Sequence, residues 1–430
     1  MIGIGIDFGT TNSCVSMAVA GREPGVVSAQ FQLLGEPTPT FRSILYFRRS
    51  EAEGRRQIHI ACGSEAIEQY LADEEKGRLI QSIKSLLGSA TFTSTAIYGR
   101  SYGAEDLVAV FLRALLAGCR EQLGEMNGRI VVGRPVQFVG AESAEDEQLA
   151  LARLRNAFAH AGIHEFEFEY EPVAAARTYQ HRLTRDEVVL IGDFGGGTSD
   201  FSVLALGPSH RGRAERGGVL ATVGLPLAGD TFDTRIIRHV VSPLLGYGTE
   251  YRSFGKDLSV PSWFYSRLER WHYLSLLKSR ETLATIRSVQ RTANQPLRLA
   301  ALRELVEDDL GFRLHQAVQQ TKIALSRAEE ARFHFELSSI AIETQVSRGD
   351  FERWIGEDLH SIERSVDEVL AIAGLAAEQI DRVFLTGGSS FVPSVRRIFE
   401  QRFGSRKLTG GDNFTSVATG LAIAALGADD

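Results

Sequence analysis

The chain has 430 residues, of which 42 are glycine, where average usage near 7% would give about 30. It is 43% hydrophobic and 23% charged, a globular composition that argues against a disordered, collagenous or membrane-spanning protein. The net charge of −7 offers nothing global to nucleic acid or anionic lipid, and three scattered cysteines (Cys14, Cys62, Cys119) form neither a disulfide framework nor a CxxC metal site.

In chain order, the alternation of Ile4, Ile6 and Phe8 with Gly5 and Asp7 predicts a strand. A Gly9-Thr10-Thr11-Asn12 turn then leads into a second strand over 13–20. No basic or long apolar leader precedes this strand, so the chain reads as cytoplasmic. Residues 37–100 are mixed and polar. Residues 104–123 carry apolar side chains at helical spacing, 129–138 read as a buried strand closing at Gly133-Arg134-Pro135, 143–162 as a helix and 167–170 as a short strand. Residues 188–204 then repeat the opening scheme of apolar strand, Asp-Phe-Gly, threonine-bearing turn and apolar strand. Asp7 and Asp193 are a domain length apart, which predicts two related α/β halves and not a solenoid. Between about 240 and 340 the chain reads as mostly helical, including 297–306 and 314–331. A strand over 382–386 enters a Gly387-Gly388 turn before helix 393–402, and a last helix spans 415–426.

The two hairpin turns have the makings of a polyphosphate clamp. Phosphate oxygens need several converging backbone N–H groups, which glycine allows the chain to present closely, and threonine hydroxyls add donors. An aspartate before such a turn has the sign of phosphate and must act through a divalent cation or water. Walker, GxGxxG, HExxH and Cys/His cluster motifs are absent, and His160 and His164 lack a third ligand.

With those turns in view, the sequence resembles the ATPase unit of the Hsp70 family, within the actin, hexokinase and Hsp70 superfamily. IGIDFGTTNSCV resembles the family's first phosphate motif, GDFGGGTSDFSVL its second, LTGGSSFVPSV its adenosine motif and YEPVAAARTY its first connecting helix; VVGRPVQF brings the pattern nearest the short YegD-like branch. The resemblance implies an α/β, actin-like ATPase fold of two lobes, each with a mixed, ribonuclease H-like sheet core and a smaller subdomain. Lobe I would comprise residues 1–186 (core 1–36 and 104–186, small subdomain 37–103) completed by helix 412–430. Lobe II would comprise 187–411 (core 187–228 and 351–411, helical subdomain 229–350).

It also implies cofactors, ATP/ADP with Mg2+, and site roles. Lys84 matches a lysine aimed at the γ-phosphate, and Glu171 the acid that orients the attacking water. Asp7 and Asp193 match acids of the magnesium and water shell, with Asp200 another acid near the metal. Gly9, Thr10, Thr11 and Asn12 match the first phosphate loop, and Gly195, Gly196, Gly197 and Thr198 the second. Gly229-Asp230 resembles a nucleotide-adjacent segment, imperfectly. On the adenosine side Lys322, Ser326, Gly387, Gly388 and Ser389 match, whereas Gln319 and Ile323 replace an acid and an arginine, and Phe391 stands where an arginine usually packs on the purine. Phe391 would either stack on adenine or pack at a helix onset.

The implied function is an Hsp70-like, chaperone-related ATPase that hydrolyses Mg-ATP in an interlobe cleft and acts as a nucleotide-dependent switch. The chain reads as stopping short of the peptide-binding domain of full-length Hsp70 chaperones. The expected partners are ATP and a protein partner or co-chaperone, with no nucleic acid, no membrane and a monomeric state. Three alternatives stay open: a scaffold that binds nucleotide with negligible turnover, a small-molecule kinase of the same superfamily, and a filament-forming protein. The aromatic run over 261–273 reads either as a partner surface or as a core-facing helix, and Arg211, Arg213 and Arg216 as a solvated hairpin tip.

Overall fold

The opening alternation folds as a strand, Ile2–Asp7, that pairs antiparallel with Asn12–Val19. The computed structural model describes residues 1–21, 25–33, 36–52, 55–73, 77–180, 183–210, 218–270, 274–410 and 416–427. Arg211, Arg213, Arg216, Trp271, His272, Tyr273 and part of the expected 412–430 segment lie outside them. Two compact units result. The first comprises Met1–Ala228, Ser361–Ser390 and Val395–Asp430, the second Gly229–His360 and Phe391–Ser394.

Within the first unit, one sheet runs Glu167–Tyr170, Arg129–Arg134, Ile2–Asp7, Asn12–Val19, Val26–Ser28, with Phe41–Arg42 added beside Asn12–Val19. The first three strands are parallel and the following pairings antiparallel. A second sheet has the same plan: Leu408–Gly410, Arg382–Thr386 and Glu187–Phe194 are parallel, then Ser199–Leu206 and Val219–Leu225 pair antiparallel. The sequence repeat is therefore a repeat of topology, in a mixed α/β architecture.

The Ile-Gly-Ile-Gly alternation explains how the first sheet is covered. Successive side chains on a strand point to opposite faces. Ile4 and Ile6 join Phe8 and Val15 in a cluster with Leu107, Phe111 and Leu115 of the helix Ala104–Leu123, all fully buried. Gly3 and Gly5 face the other way, where the helix Ser416–Ala425 lies on them: a Cβ on Gly5 would stand 2.2 Å from the Ala418 carbonyl oxygen. These two glycines make room for that helix.

The helix Glu171–Gln180 touches both sheets: Ala174 clusters with Val131 and Leu421, while Val173 and Ala176 cluster with Val189, Ile191 and Leu204. Residues 37–100, unassigned by periodicity, include the three-stranded sheet of Arg55–Cys62, Ile44–Ala52 and Arg78–Gln81 and the helix Gly63–Ala72.

The second unit contains the helices Gly229–Ile236, Arg280–Thr292, Pro296–Glu307 and Gly311–Arg327. The expected helix over 314–331 ends early, because Ala331, Phe333 and Phe335 are buried in alternation with exposed Arg332, His334 and Glu336. That period of two makes the strand Glu330–Glu336, paired with Ala341–Ser347. In the aromatic run Phe264 and Tyr265 are core residues, the Tyr265 hydroxyl donating to the Leu245 carbonyl at 2.9 Å, whereas Trp263 stays partly exposed. Among the described residues no helix is long and apolar enough to cross a membrane.

Candidate phosphate-binding site

Both hairpin tips belong to the first unit and approach each other. A Cβ on Gly197 would stand 3.9 Å from the Thr10 methyl carbon and 3.5 Å from Val139. The first tip is braced from below by two buried serines. Ser43 Oγ donates to the Gly9 carbonyl at 2.7 Å and lies 3.0 Å from Ser13 Oγ, while the Ser43 N–H donates to the Thr11 carbonyl at 3.0 Å. Asn12 is the first residue of its strand, and its side-chain oxygen accepts from Arg42 at 3.0 Å. Thr11 Oγ1, by contrast, is buried without a hydrogen-bond partner. The second tip is closed by the Gly195 N–H donating to the Thr198 carbonyl at 2.8 Å, with Gly196 and Gly197 between them.

The register sets the acids. Asp193 lies opposite Asp200 across the second hairpin and beside Thr386, whose hydroxyl donates to Asp193 Oδ1 at 2.6 Å. Thr386 is a partner that sequence reasoning passed over, though it precedes the Gly-Gly turn. Gly387 follows with φ of +81°, and a Cβ there would stand 2.0 Å from the Phe194 carbonyl oxygen, so only glycine lets this strand end pass so close to the second tip. Gly388 and buried Ser389 continue into a short 3-10 turn, Gly388–Phe391.

Lys84 and Glu171 arrive from elements far apart in sequence. Lys84 sits in the 3-10 turn Ile83–Leu86 after Ser82, which holds φ of +52°. Glu171 is itself the first residue of its helix. Both are buried, and Lys84 Nζ meets Glu171 Oε1 at 2.7 Å.

Among the described residues, the electrostatics are those of a buried acid cluster around one lysine. Asp7 is pushed up to about 8, first by burial and then by the charges of Glu171 and Asp193, against the pull of Lys84. Burial raises Asp193 to about 6; Glu171 adds to this, while Thr386 and Lys84 oppose it. Asp200 is held well above the carboxylate range by burial, then by Glu171 and Asp193. For Lys84, burial would favour losing the proton, but Glu171 and Asp7 together hold it above the ordinary lysine range. Asp200 Oδ1 is buried with no hydrogen-bond partner. An orphaned carboxylate oxygen among crowded acids is the donor chemistry that suits a hard divalent cation. Among the described residues no three His, Cys, Asp or Glu side chains form a direct metal-ligand cluster.

The residues assigned to the nucleoside fall in the second unit, apart from Gly387, Gly388 and Ser389. Lys322 Nζ is 2.8 Å from Asp233 Oδ1 and donates to the Gly229 carbonyl at 2.9 Å, so its ammonium already has two partners. Asp233 is the residue missed here; its place in LAGDTFD was its only signal. Ser326 Oγ donates to the Lys322 carbonyl at 3.1 Å, and the Asp230 carbonyl accepts from Thr234 within the helix Gly229–Ile236. Ile323 and Phe391 are exposed, at 47% and 58%.

A model of the family described as Hsp70 protein matches residues 61–257 and 305–427, more than half of the chain. A chaperone protein DnaK of Deinococcus deserti is 26% identical over 441 residues, an alignment covering 98% of this chain and 59% of the relative. The chain thus spans about three-fifths of that relative's length.

Proposed function

The chain belongs to the Hsp70 family and has its actin-like ATPase fold, and from that premise we propose that it binds Mg-ATP at the paired hairpin tips and hydrolyses it as a nucleotide-dependent switch. The observation that carries the reading is the gathering of Asp7, Asp193, Asp200 and Glu171 around the single ammonium of Lys84. An excess of buried acids is costly unless a cation joins it.

In this reading the N–H groups of Gly196 and Gly197 and the hydroxyls of Thr10, Thr11 and Thr198 bind phosphate oxygens, while the Gly195 N–H holds the turn closed on the Thr198 carbonyl. Asp7, Asp193 and Asp200 would hold magnesium through water, and the ion would neutralise charge on the phosphates. Lys84 turns from Glu171 to the γ-phosphate, where its charge stabilises the transition state. Glu171, released from that pair, orients the attacking water with Asp193 and Thr198. A bond forms between the water oxygen and the γ-phosphorus as the bond to the bridging oxygen breaks, and the water's proton leaves to a carboxylate or phosphate oxygen. Lobe I (1–186 with 412–430) and lobe II (187–411) would close differently on ATP and ADP, and a protein partner would read that difference in the cytoplasm.

Single-turnover hydrolysis of radiolabelled ATP by wild type and Lys84→Ala tests the reading, with calorimetric titration of Mg-ATP alongside. The expected result is tight binding in both and a rate lower in the variant by about 100-fold or more. Equal rates remove Lys84 from the chemistry, and absent binding removes the site. Binding without turnover in wild type would favour a second reading, a nucleotide-binding scaffold. That reading is supported by the engagement of Lys322 with Asp233 and Gly229 and by the exposure of Ile323 and Phe391.

A further inference from the structure

The turn that carries Lys84 has its own anchor. The 3-10 turn Ile83–Leu86 and the residues after it leave carbonyl groups at a C-terminal end, where a turn so short supplies few partners of its own. Arg153, on the helix Ala144–His160, fills that role: Nη1 donates to the carbonyls of Leu86, Leu87 and Ser89 at 3.2, 3.0 and 2.9 Å, and Nη2 donates to the Phe92 carbonyl at 2.8 Å. Guanidinium hydrogen bonds are charge-assisted, and a planar fork is the side chain that reaches several acceptors at once. Its positive charge also suits the negative end of the turn. Gly88 seals the same segment against the loop after Arg129–Arg134, since a Cβ there would stand 2.6 Å from the Val139 carbonyl oxygen. The Ala144–His160 helix is itself fixed at its start by Ser143 and Asp146, each accepting from the other's backbone N–H.

We propose that Arg153 is a positioning residue that holds the Ile83–Leu86 turn so that the Lys84 ammonium points into the acid cluster of Asp7, Glu171 and Asp200. This rests on the ATPase reading for its effect on rate, but not for its effect on Lys84. Ser82 already occupies a left-handed conformation that serine adopts at a cost, so the turn has a nearby relaxed alternative once its carbonyls are released. Lys84 would then leave Glu171 and swing outward, while the hairpin tips, to which Arg153 donates no hydrogen bond among the described residues, would keep the phosphate contacts proposed for them.

The experiment compares wild type, Arg153→Ala and Arg153→Lys in the free protein by amine acylation, with mass spectrometry following Lys84 against Lys278 and Lys407. Acylation of Lys84 should rise about tenfold in Arg153→Ala with the two reference lysines unchanged. Arg153→Lys, which keeps a cation but not the fork, should fall between and covers the case in which the alanine variant does not fold. Unchanged Lys84 acylation, or an equal rise at all three lysines, overturns the proposal. In single turnover Arg153→Ala should slow hydrolysis by about 10- to 100-fold while calorimetric Mg-ATP affinity stays within threefold. In a Lys84→Ala background it should slow hydrolysis no further; an independent, multiplying loss would mean that Arg153 acts on the fold and not through Lys84. A wild type that hydrolyses nothing defeats the ATPase reading, and the acylation result still decides on Arg153.

Discussion

The sheet opened by Ile2–Asp7 and the sheet opened by Glu187–Phe194 run through the same strand order, yet they are finished by different means. The first is stiff at its tip: two serines and Arg42 take up Gly9, Thr11 and Asn12, and a helix presses on Gly3 and Gly5. The second tip is three glycines and one backbone hydrogen bond, with its neighbouring strand end passing close under Phe194. Duplicated topology puts the two aspartates in equivalent places; the local chemistry around each then diverges. Glycine shows the divergence most clearly, because in one half it makes room for a helix and in the other, at Gly387, it lets a neighbouring strand end pass close to the Phe194 carbonyl.

The largest effect should come from treating those glycines alike. Gly5→Val forces side-chain atoms into the backbone of the helix Ser416–Ala425 and should destabilise the first unit by more than about 4 kcal/mol or prevent its folding. Gly195→Ala brings a Cβ to 3.2 Å from the Thr198 carbonyl oxygen and 3.9 Å from its hydroxyl, and should cost about 1 kcal/mol or less. Urea unfolding of both variants checks this; a Gly5→Val protein as stable as wild type would dissolve the contrast between the halves.

A smaller effect separates the aspartates. Their pKa values in the fold, about 8 for Asp7 and about 6 for Asp193, lie above the ordinary 3.8. Between these limits the folded state binds more protons than the unfolded state, so stability falls as pH rises. The stabilising share of each group is complete below about 3.8 and lost through about 6 for Asp193 and about 8 for Asp7. Asp7→Asn should therefore stabilise the free protein at pH 8 by at least about 1.4 kcal/mol, and Asp193→Asn by less. Denaturation across pH 5 to 9 measures it, and a larger gain from the second variant would reverse the ranking of the two tips.

Much of this arrangement is legible in the sequence. Alternating apolar residues and the Asp-Phe-Gly repeat mark both hairpins, since strand period and turn chemistry are local properties. Lys84 and Glu171 are visible only through the family resemblance, because their pairing spans 87 positions and neither lies in a distinctive local pattern. Arg153 has no sequence signal at all: its four partners are backbone carbonyls, which every residue carries. The need for glycine at positions 3 and 5 is not legible locally, since the helix that packs on them lies more than 400 residues away. In the second unit Asp233 and Gly229 occupy Lys322 through contacts that bridge about 90 residues, beyond the reach of any local pattern.

The finest contrast lies within the first tip itself, between a hydroxyl that builds it and one that stands spare. Ser43 is fully buried and hydrogen-bonded to the Gly9 carbonyl and Ser13, so Ser43→Ala leaves partners unsatisfied and should cost about 1–2 kcal/mol in urea unfolding. Thr11 Oγ1 has no partner in the free protein, so Thr11→Val should change stability by no more than about 0.5 kcal/mol. In the proposed nucleotide-binding reading, a ligand oxygen would make the hydrogen bond that Thr11 Oγ1 leaves unmade. Thr11→Val should accordingly weaken Mg-ADP binding about tenfold in calorimetric titration, while Ser43→Ala should weaken it only as far as the tip loosens. If Thr11→Val proved destabilising with nucleotide affinity intact, the hydroxyl would belong to the scaffold and the first tip would be as self-contained as its serines make it.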